Sequence, residues 1–203
     1  MQLSLLFGKE LIVIIVSYVL GCFSTGYYLI RLRTGQDIRK LGSGSTGGTN
    51  VGRVLGKPGF ALTMLGDFLK GAIAYWLAME IGVEAWARAL VIFAVVAGHV
   101  FPVQLGFHGG KGLATVLGAA LLFDYRFTIV IIALTGLLGV LSRQFALSLM
   151  LVIAIAPLIA ALIGHTPAEA VGLGITALLI LFAHRTNILS DLKQIRNRTQ
   201  ESM

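Results

Sequence analysis

With 57% of its 203 residues hydrophobic, only 12% charged and a mean hydropathy of +0.89, the chain falls outside the soluble class and fits one polytopic membrane domain over residues 1–203. Its formal charge of +7 is no nucleic-acid signature, because no basic stripe carries interleaved aromatics and the cations sit at the ends of apolar runs, where they orient helices in a bilayer. A single cysteine, Cys22, excludes an internal disulfide and a thiolate metal site.

The first apolar stretch, residues 10–32, is long enough for a membrane-crossing helix. Val19-Leu20-Gly21-Cys22 loosely resembles a lipoprotein cleavage site, but Lys9 is offset by Glu10 and no small-residue cleavage site of the A-x-A kind is present. The segment reads as a retained helix, with Cys22 a buried small hydrophobe.

Residues 41–58, LGSGSTGGTNVGRVLGKP, form the only long polar interval. Glycines at 42, 44, 47, 48, 52 and 56 allow several N–H groups to converge on one point, the geometry that cradles phosphate oxygens. Ser43, Ser45, Thr46, Thr49 and Asn50 add side-chain donors, and Arg53 adds a planar, permanently charged fork. With Gly44 and Gly47, these residues make a candidate phosphate-binding loop. The alternative is a solvated loop whose cations only set orientation. The stretch lacks the Gly-Lys-Ser/Thr ending of a Walker loop, and no strand precedes it as a dinucleotide fingerprint requires.

The second stretch, 60–81, carries Asp67 and Lys70 three apart on one helical face, well inside an apolar run. Unpaired charges there cost about 2.5–3.5 kcal/mol each on insertion scales, so they pair or face a polar site. They either contact a ligand or, as the preferred reading, brace the preceding loop. The third stretch, 87–107, contains His99, open to a packing role or a ligand role, and leads to FHGGKGLAT. There Gly109, Gly110 and Lys111 stand before a helix start at Leu113, a second candidate anion site made of backbone donors, helix dipole and ammonium; the alternative is a tight turn with an orienting lysine.

The fourth stretch, 113–123, is too short to cross alone; it is either a short helix or is fused to the fifth, 127–141, through Asp124-Tyr125-Arg126. Stretches 148–164 and 168–183 complete a set of seven. With the N-terminus outside and seven crossings, Arg31, Arg33, Arg39, Lys40, Arg53, Lys57, Lys111, Arg143, Arg185, Lys193, Arg196 and Arg198 all fall on the cytoplasmic side, leaving Lys9, Arg88 and Arg126 outside. Fusion would throw Arg143 and the basic tail outside. The expected fold is therefore all-α, with seven transmembrane helices, the fourth unusually short, and a cytoplasmic C-terminus. No inverted repeat of the transporter kind is visible.

That topology brings every polar cluster except the outer turns to one face: the opening loop, residues 98–111, Ser142-Arg143, and His184 with Asn187. The last two lie three apart on one helical face and suit phosphate or hydroxyl contact, or a solvated helix end. Scattered histidines and isolated aspartates argue against a metal site, and no Ser-His-Asp or Cys-His arrangement suggests a covalent intermediate.

Taken together, GSGSTGGTNVGR, DFLKG, GHVFPV followed by FHGGKGLAT, and HRTNI resemble the bacterial acyl-phosphate:glycerol-3-phosphate acyltransferases, the PlsY family, from residue 24 to about 190. Ser45 stands where that family usually has asparagine and Ala146 where serine is common, and the tail after Ile188 lacks the usual glycine and glutamate, so no residue beyond Asn187 is carried over. The resemblance implies transfer of a fatty acyl group from acyl phosphate to the 1-position of sn-glycerol 3-phosphate, without metal, other cofactor, covalent acyl-enzyme or protein partner. It places the protein in the bacterial inner membrane with its site facing the cytoplasm. It also implies that Ser43, Ser45, Thr49, Asn50 and Arg53 hold one phosphate, that Gly109, Gly110 and Lys111 hold the other, and that His184 and Asn187 position the reacting groups. A substrate phosphate is then a candidate proton acceptor, since no carboxylate base is evident. The competing class is a permease for a phosphorylated solute, which would need a polar path through the membrane.

Overall fold

The computed structural model describes the backbone of residues 2–201 and the side chains of residues 8–197 and 200; the side chain of Arg198, counted above among the cations, lies outside the described residues. Among the described residues there is no strand. The helices are α1 (Gln2–Cys22), α2 (Thr25–Thr34), α3 (Gly48–Glu80), α4 (Ala85–Val100), α5 (Leu113–Phe123), α6 (Tyr125–Ser142), α7 (Phe145–Ile163) and α8 (Pro167–Glu201). Five segments, Gly8–Thr34, Ala85–Leu105, Tyr125–Ser142, Phe145–Ile163 and Pro167–Asn197, are long and apolar enough to cross a membrane. Leu11, Val19, Ile132, Val140, Leu162 and Leu178 project from the bundle, as suits a surface solvated by lipid chains.

Without a hydrophobic drive between helices in lipid, close backbone approach has to hold the bundle together. Glycines provide it reciprocally. A Cβ on Gly21 of α1 would strike the Val95 carbonyl of α4, and one on Gly98 of α4 would strike the Tyr18 carbonyl of α1. Gly71 of α3 and Gly118 of α5 meet the Thr115 and Phe68 carbonyls in the same way. Around these contacts Val91, Val95, Val96 and Ile180 fill one core, while Tyr75, Phe127, Val152 and Ile159 fill another.

The short fourth apolar segment is a separate helix, α5, of 11 residues. Asp124 separates it from α6 by capping the new helix: its carboxylate accepts from the N–H groups of Arg126 (2.7 Å) and Phe127 (3.4 Å).

Four boundaries depart from the sequence reading. Residues 10–32 are not one helix, because α1 stops at Cys22 and α2 restarts at Thr25. The carbonyls freed at the break are satisfied from other elements: Lys70 Nζ donates to Gly21 O (3.1 Å) and Phe23 O (2.7 Å), and Gln104 Nε2 donates to Cys22 O. The polar interval 41–58 is loop only as far as Gly47; α3 begins at Gly48 and bends at Gly56 (φ 68°, ψ −164°), so that residues 48–55 fold back on residues 59–64. The stretch expected to run to Phe107 leaves the α-helix at Val100, with a single 3₁₀ turn over Val103–Leu105. Finally, α8 continues past the apolar run to Glu201, so His184 and Asn187 lie within a helix rather than at its end.

Candidate active site

Loop residues 41–47 are shaped by a side chain that follows them. Asn50, 2% exposed, receives the Ser43 N–H on Oδ1 (3.0 Å), while its Nδ2 donates to the carbonyls of Leu41 and Ser45, both at 2.9 Å. Gly42 takes φ +53°, and any Cβ there would collide with that Oδ1. The Asn50 amide is thus engaged by the loop it shapes. Thr49 and Arg53, one turn apart on the outer side of the same helix, open onto a cavity together with Ser43, Ser45 and Gly47. The first turn of α3 lies along this wall, and N–H groups at a helix N-terminus favour an anion.

Facing it is the second glycine segment. Gly109 N donates to Val100 O (3.1 Å) and Gly110 N to His99 O (3.0 Å), folding the segment back against the end of α4. Gly110 packs on the His99 ring, where any Cβ would collide with Nε2. Thr46 N donates to Gly109 O (3.3 Å), so the two glycine segments touch directly. Gly112, at φ +86°, turns the chain into α5, whose first residues Leu113 and Ala114 join the cavity wall. A second helix N-terminus therefore faces the same space.

Lys111 projects between them and donates to Asn187 Oδ1 at 2.7 Å. Burial first, and then the nearby Arg53 charge, push its pKa below the ordinary lysine value. One turn before Asn187 on α8, His184 Nδ1 lies 2.9 Å from Ile180 O. A carbonyl can only accept, so Nδ1 carries the hydrogen and Nε2 keeps a free lone pair.

Beneath the cavity is a fully packed charge cluster. Lys70 Nζ lies 3.0 Å from Asp67 Oδ1 and 2.8 Å from His99 Nδ1, besides capping α1; Thr25 Oγ1 donates to Asp67 (3.1 Å). Asp67, Lys70 and His99 are 2%, 5% and 4% exposed. Asp67 and Lys70 do brace the structure, but what they hold is the α1–α2 break and α4 rather than the 41–58 loop expected from the sequence, and His99 is part of the same brace.

The cavity measures about 380 Å³ and gathers Ser43, Ser45, Gly47, Thr49, Asn50, Arg53, Asp67, His99, Lys111, His184 and Asn187. Other expected residues are not on its lining. Gly44, Gly109 and Gly110 act through the backbone, and Thr46 is buried with its Oγ1 unpartnered. Ser142 caps the α6–α7 turn, accepting from Gln144 N (3.1 Å) and sharing a hydrogen bond with Ser148 (3.1 Å), and Arg143 sits exposed in that turn at φ +56°. Ala146, Leu149 and Met150 of α7 take the place expected for Ser142 and Arg143, with Phe60 and Met64 opposite. Their three-to-four spacing puts them on one face of α7, but nothing in the sequence says what that face meets. Met64, Leu113, Ala114 and Leu149 also line a second cavity of about 510 Å³, almost wholly apolar, between α5, α6, α7 and α8. Among the described residues no three of His, Cys, Asp and Glu come together at metal-ligand spacing. The arrangement offers two cations, two helix N-termini and a row of hydroxyls at the mouth of an oily chamber: a site for an anionic head on a hydrocarbon tail.

Comparison with known proteins agrees with that chemistry. A family model described as glycerol-3-phosphate acyltransferase matches residues 11–194. Glycerol-3-phosphate acyltransferase 1 of Desulfitobacterium hafniense (strain Y51) is 42% identical over 189 residues, covering 93% of this chain and 94% of that one. The glycerol-3-phosphate acyltransferase of Clostridioides difficile (strain 630) is 37% identical over 198 residues, 95% of each. Two crystal structures of PlsY (YgiH), an integral membrane glycerol 3-phosphate acyltransferase, superpose on this fold. Its glycerol 3-phosphate form gives a TM-score of 0.83 at 32% identity, over 92% of this chain and 94% of that one; its lysophosphatidic acid form gives 0.80 at 30%, over 92% and 93%.

Proposed function

This chain belongs to the glycerol-3-phosphate acyltransferase family, and from that premise we propose that it moves a fatty acyl group from acyl phosphate to the 1-hydroxyl of sn-glycerol 3-phosphate, giving lysophosphatidic acid and inorganic phosphate. The observation that carries the donor assignment is the junction of the two cavities: Leu113, Ala114 and Leu149 belong both to the cationic site and to the apolar chamber. An acyl phosphate fits such a junction, with its chain in the chamber and its mixed anhydride at the cations.

In this reading Arg53 and the start of α3 grip one phosphate, with Ser43, Ser45 and Thr49 as hydroxyl donors, and Lys111 with the start of α5 grips the other. The glycerol hydroxyl oxygen attacks the acyl carbonyl, the bond from acyl carbon to phosphate oxygen breaks, and the phosphate leaves with the electron pair. The hydroxyl proton passes to a phosphate oxygen, while His184, through its free Nε2, and Asn187 orient the hydroxyl. An acyl phosphate is already activated, so orientation and charge stabilisation supply the acceleration. The membrane arrangement belongs to the same proposal: seven crossings, the N-terminus outside, and the site facing the cytoplasm across the inner membrane.

Purified protein supplied with glycerol 3-phosphate and either acyl phosphate, acyl-coenzyme A or acyl carrier protein tests the donor. Lysophosphatidic acid and phosphate should appear with acyl phosphate alone; equal turnover of a thioester sinks the assignment. Cysteine labelling in intact cells at Thr49, Lys111 and Asn187 tests the orientation, and modification from the periplasmic side reverses it.

A further inference from the structure

The apolar chamber ends in an aromatic plug that the phosphate site does not use. At the end near Lys111 the chamber meets the polar cavity; at the far end its lining stops at Phe127 and Leu173. Phe127 is 3% exposed, and its ring stands edge-on to Phe123, with centroids 5.9 Å apart and planes at 88°. Phe123 is edge-on to Tyr75 at 6.0 Å and stacks on the His165 imidazole at 4.5 Å. The imidazole is itself fixed, with Nε2 3.1 Å from Asp124 Oδ2 and Nδ1 3.6 Å from Glu169 Oε2. Glu169 is held in turn by the N–H and hydroxyl of Thr166, at 3.0 and 2.9 Å.

Hydrophobic filling alone would not require an imidazole between two carboxylates behind a phenyl ring. A satisfied polar network of this kind resists displacement, because moving one member strands the rest. It anchors the plug to the α5–α6 turn, the α7–α8 turn and α8 together, so this end of the chamber cannot yield as a methionine-lined wall would. The distance from plug to phosphate site is fixed as well. Along α8 the lining runs from Ile180 to Leu173, roughly 10 Å at about 1.5 Å per residue, with His184 one turn beyond Ile180.

We infer that the Phe123–Phe127 plug, held in place by His165, sets the longest acyl chain that the enzyme accepts. The inference rests on the acyl donor occupying the chamber as proposed above. The phosphate site fixes the carboxyl carbon, so chain length is measured as reach toward Phe127. Up to the plug each additional buried methylene strengthens binding about fourfold; beyond it, an extra methylene must displace packed aromatic rings and is rejected.

Phe127→Ala, Phe127→Leu and the unaltered protein are assayed with saturated acyl phosphates of increasing length, each against a short donor in the same preparation, so that losses of folded protein cancel in the ratio. The unaltered protein should show a sharp fall in relative kcat/KM beyond one length. Phe127→Ala should move that fall to longer chains, gaining about tenfold at the first length otherwise rejected, and Phe127→Leu should move it less. Ala120→Leu, which fills the chamber near the plug, should move it to shorter chains, and His165→Ala should blur it. Binding of lysophosphatidic acids of the same lengths to the same proteins gives a second reading independent of the donor. No turnover of any acyl phosphate, together with a length limit in lysophosphatidic acid binding that shifts in Phe127→Ala, refutes the donor assignment and keeps the plug. A flat length profile in the unaltered protein, or a limit unmoved by Phe127→Ala in both readings, overturns the inference.

Discussion

Lys70 and Lys111 are cations close to one cavity, with opposite surroundings. Lys70 is 5% exposed and has its charge matched by Asp67, its donors taken by two helix-end carbonyls, and His99 against it. Lys111 has a neutral partner, Asn187, and a like charge nearby in Arg53. On the function proposed above, the contrast separates structure from ligand binding with a single residue type. A cation whose field is cancelled locally fixes the backbone, and one left without a carboxylate remains available to a phosphate.

The largest effect should come from breaking the matched cation. Lys70→Met leaves Asp67 buried without its counter-charge and exposes the carbonyl end of α1, at a cost of about 3–5 kcal/mol in stability. Thermal unfolding in detergent should show it, and Asp67→Asn added to Lys70→Met should recover part. If Lys70→Met unfolds like the unaltered protein but loses activity, the comparison fails and Lys70 is a ligand-binding cation too. Arg53→Ala and Lys111→Ala should do the reverse, lowering kcat/KM by on the order of 10²–10³ each with unfolding nearly unchanged. Varying each substrate in turn then tells which phosphate each cation serves, and a drop in stability of the size seen for Lys70→Met would erase the distinction.

Asn50 sharpens the comparison from the side of the loop. Asn50→Ala removes the acceptor for Ser43 N and the donors to the Leu41 and Ser45 carbonyls, groups partly hidden from water. Stability should fall by about 1–3 kcal/mol, and the KM for the phosphate at this loop should rise with kcat less affected. A change in kcat alone would mean that Asn50 contacts the reacting atoms.

The short apolar helix over Leu113–Phe123 and the candidate cations are legible in the sequence because hydropathy, helix length and glycine-flanked charge are local properties. The Asp67–Lys70 pair is legible too, since spacing three on an apolar helix demands a partner. The break at Phe23 is marked in the sequence only by the short polar run Ser24-Thr25-Gly26, with Ser24 as N-cap of α2, and its stabilising donors, Lys70 and Gln104, come from distant elements that no local pattern reveals. As part of a loop Asn50 reads as one more phosphate donor; with α3 starting at Gly48, its side chain points back toward residues 41–45. Ser142 and Arg143 fitted the chemical theme of the site but cap a turn, and three residues of α7 line the cavity instead. Their spacing puts them on one helix face and leaves the neighbouring space unspecified.

The smallest effect tests whether Arg53 and Lys111 share one field. Burial and the Arg53 charge disfavour the ammonium form of Lys111, so its proton is lost at lower pH than that of an ordinary lysine near 10.4. The kcat/KM profile reports groups of the free enzyme. It should therefore hold near neutrality and fall as pH rises through that lowered value, because the neutral amine no longer attracts phosphate. Lys111→Arg keeps its charge throughout this range and should extend the plateau. Arg53→Ala, although much slower, removes the repulsion and should shift the alkaline fall toward the ordinary lysine value. A fall that stays in place in both variants belongs to another group, and the two cations would then act on their phosphates independently.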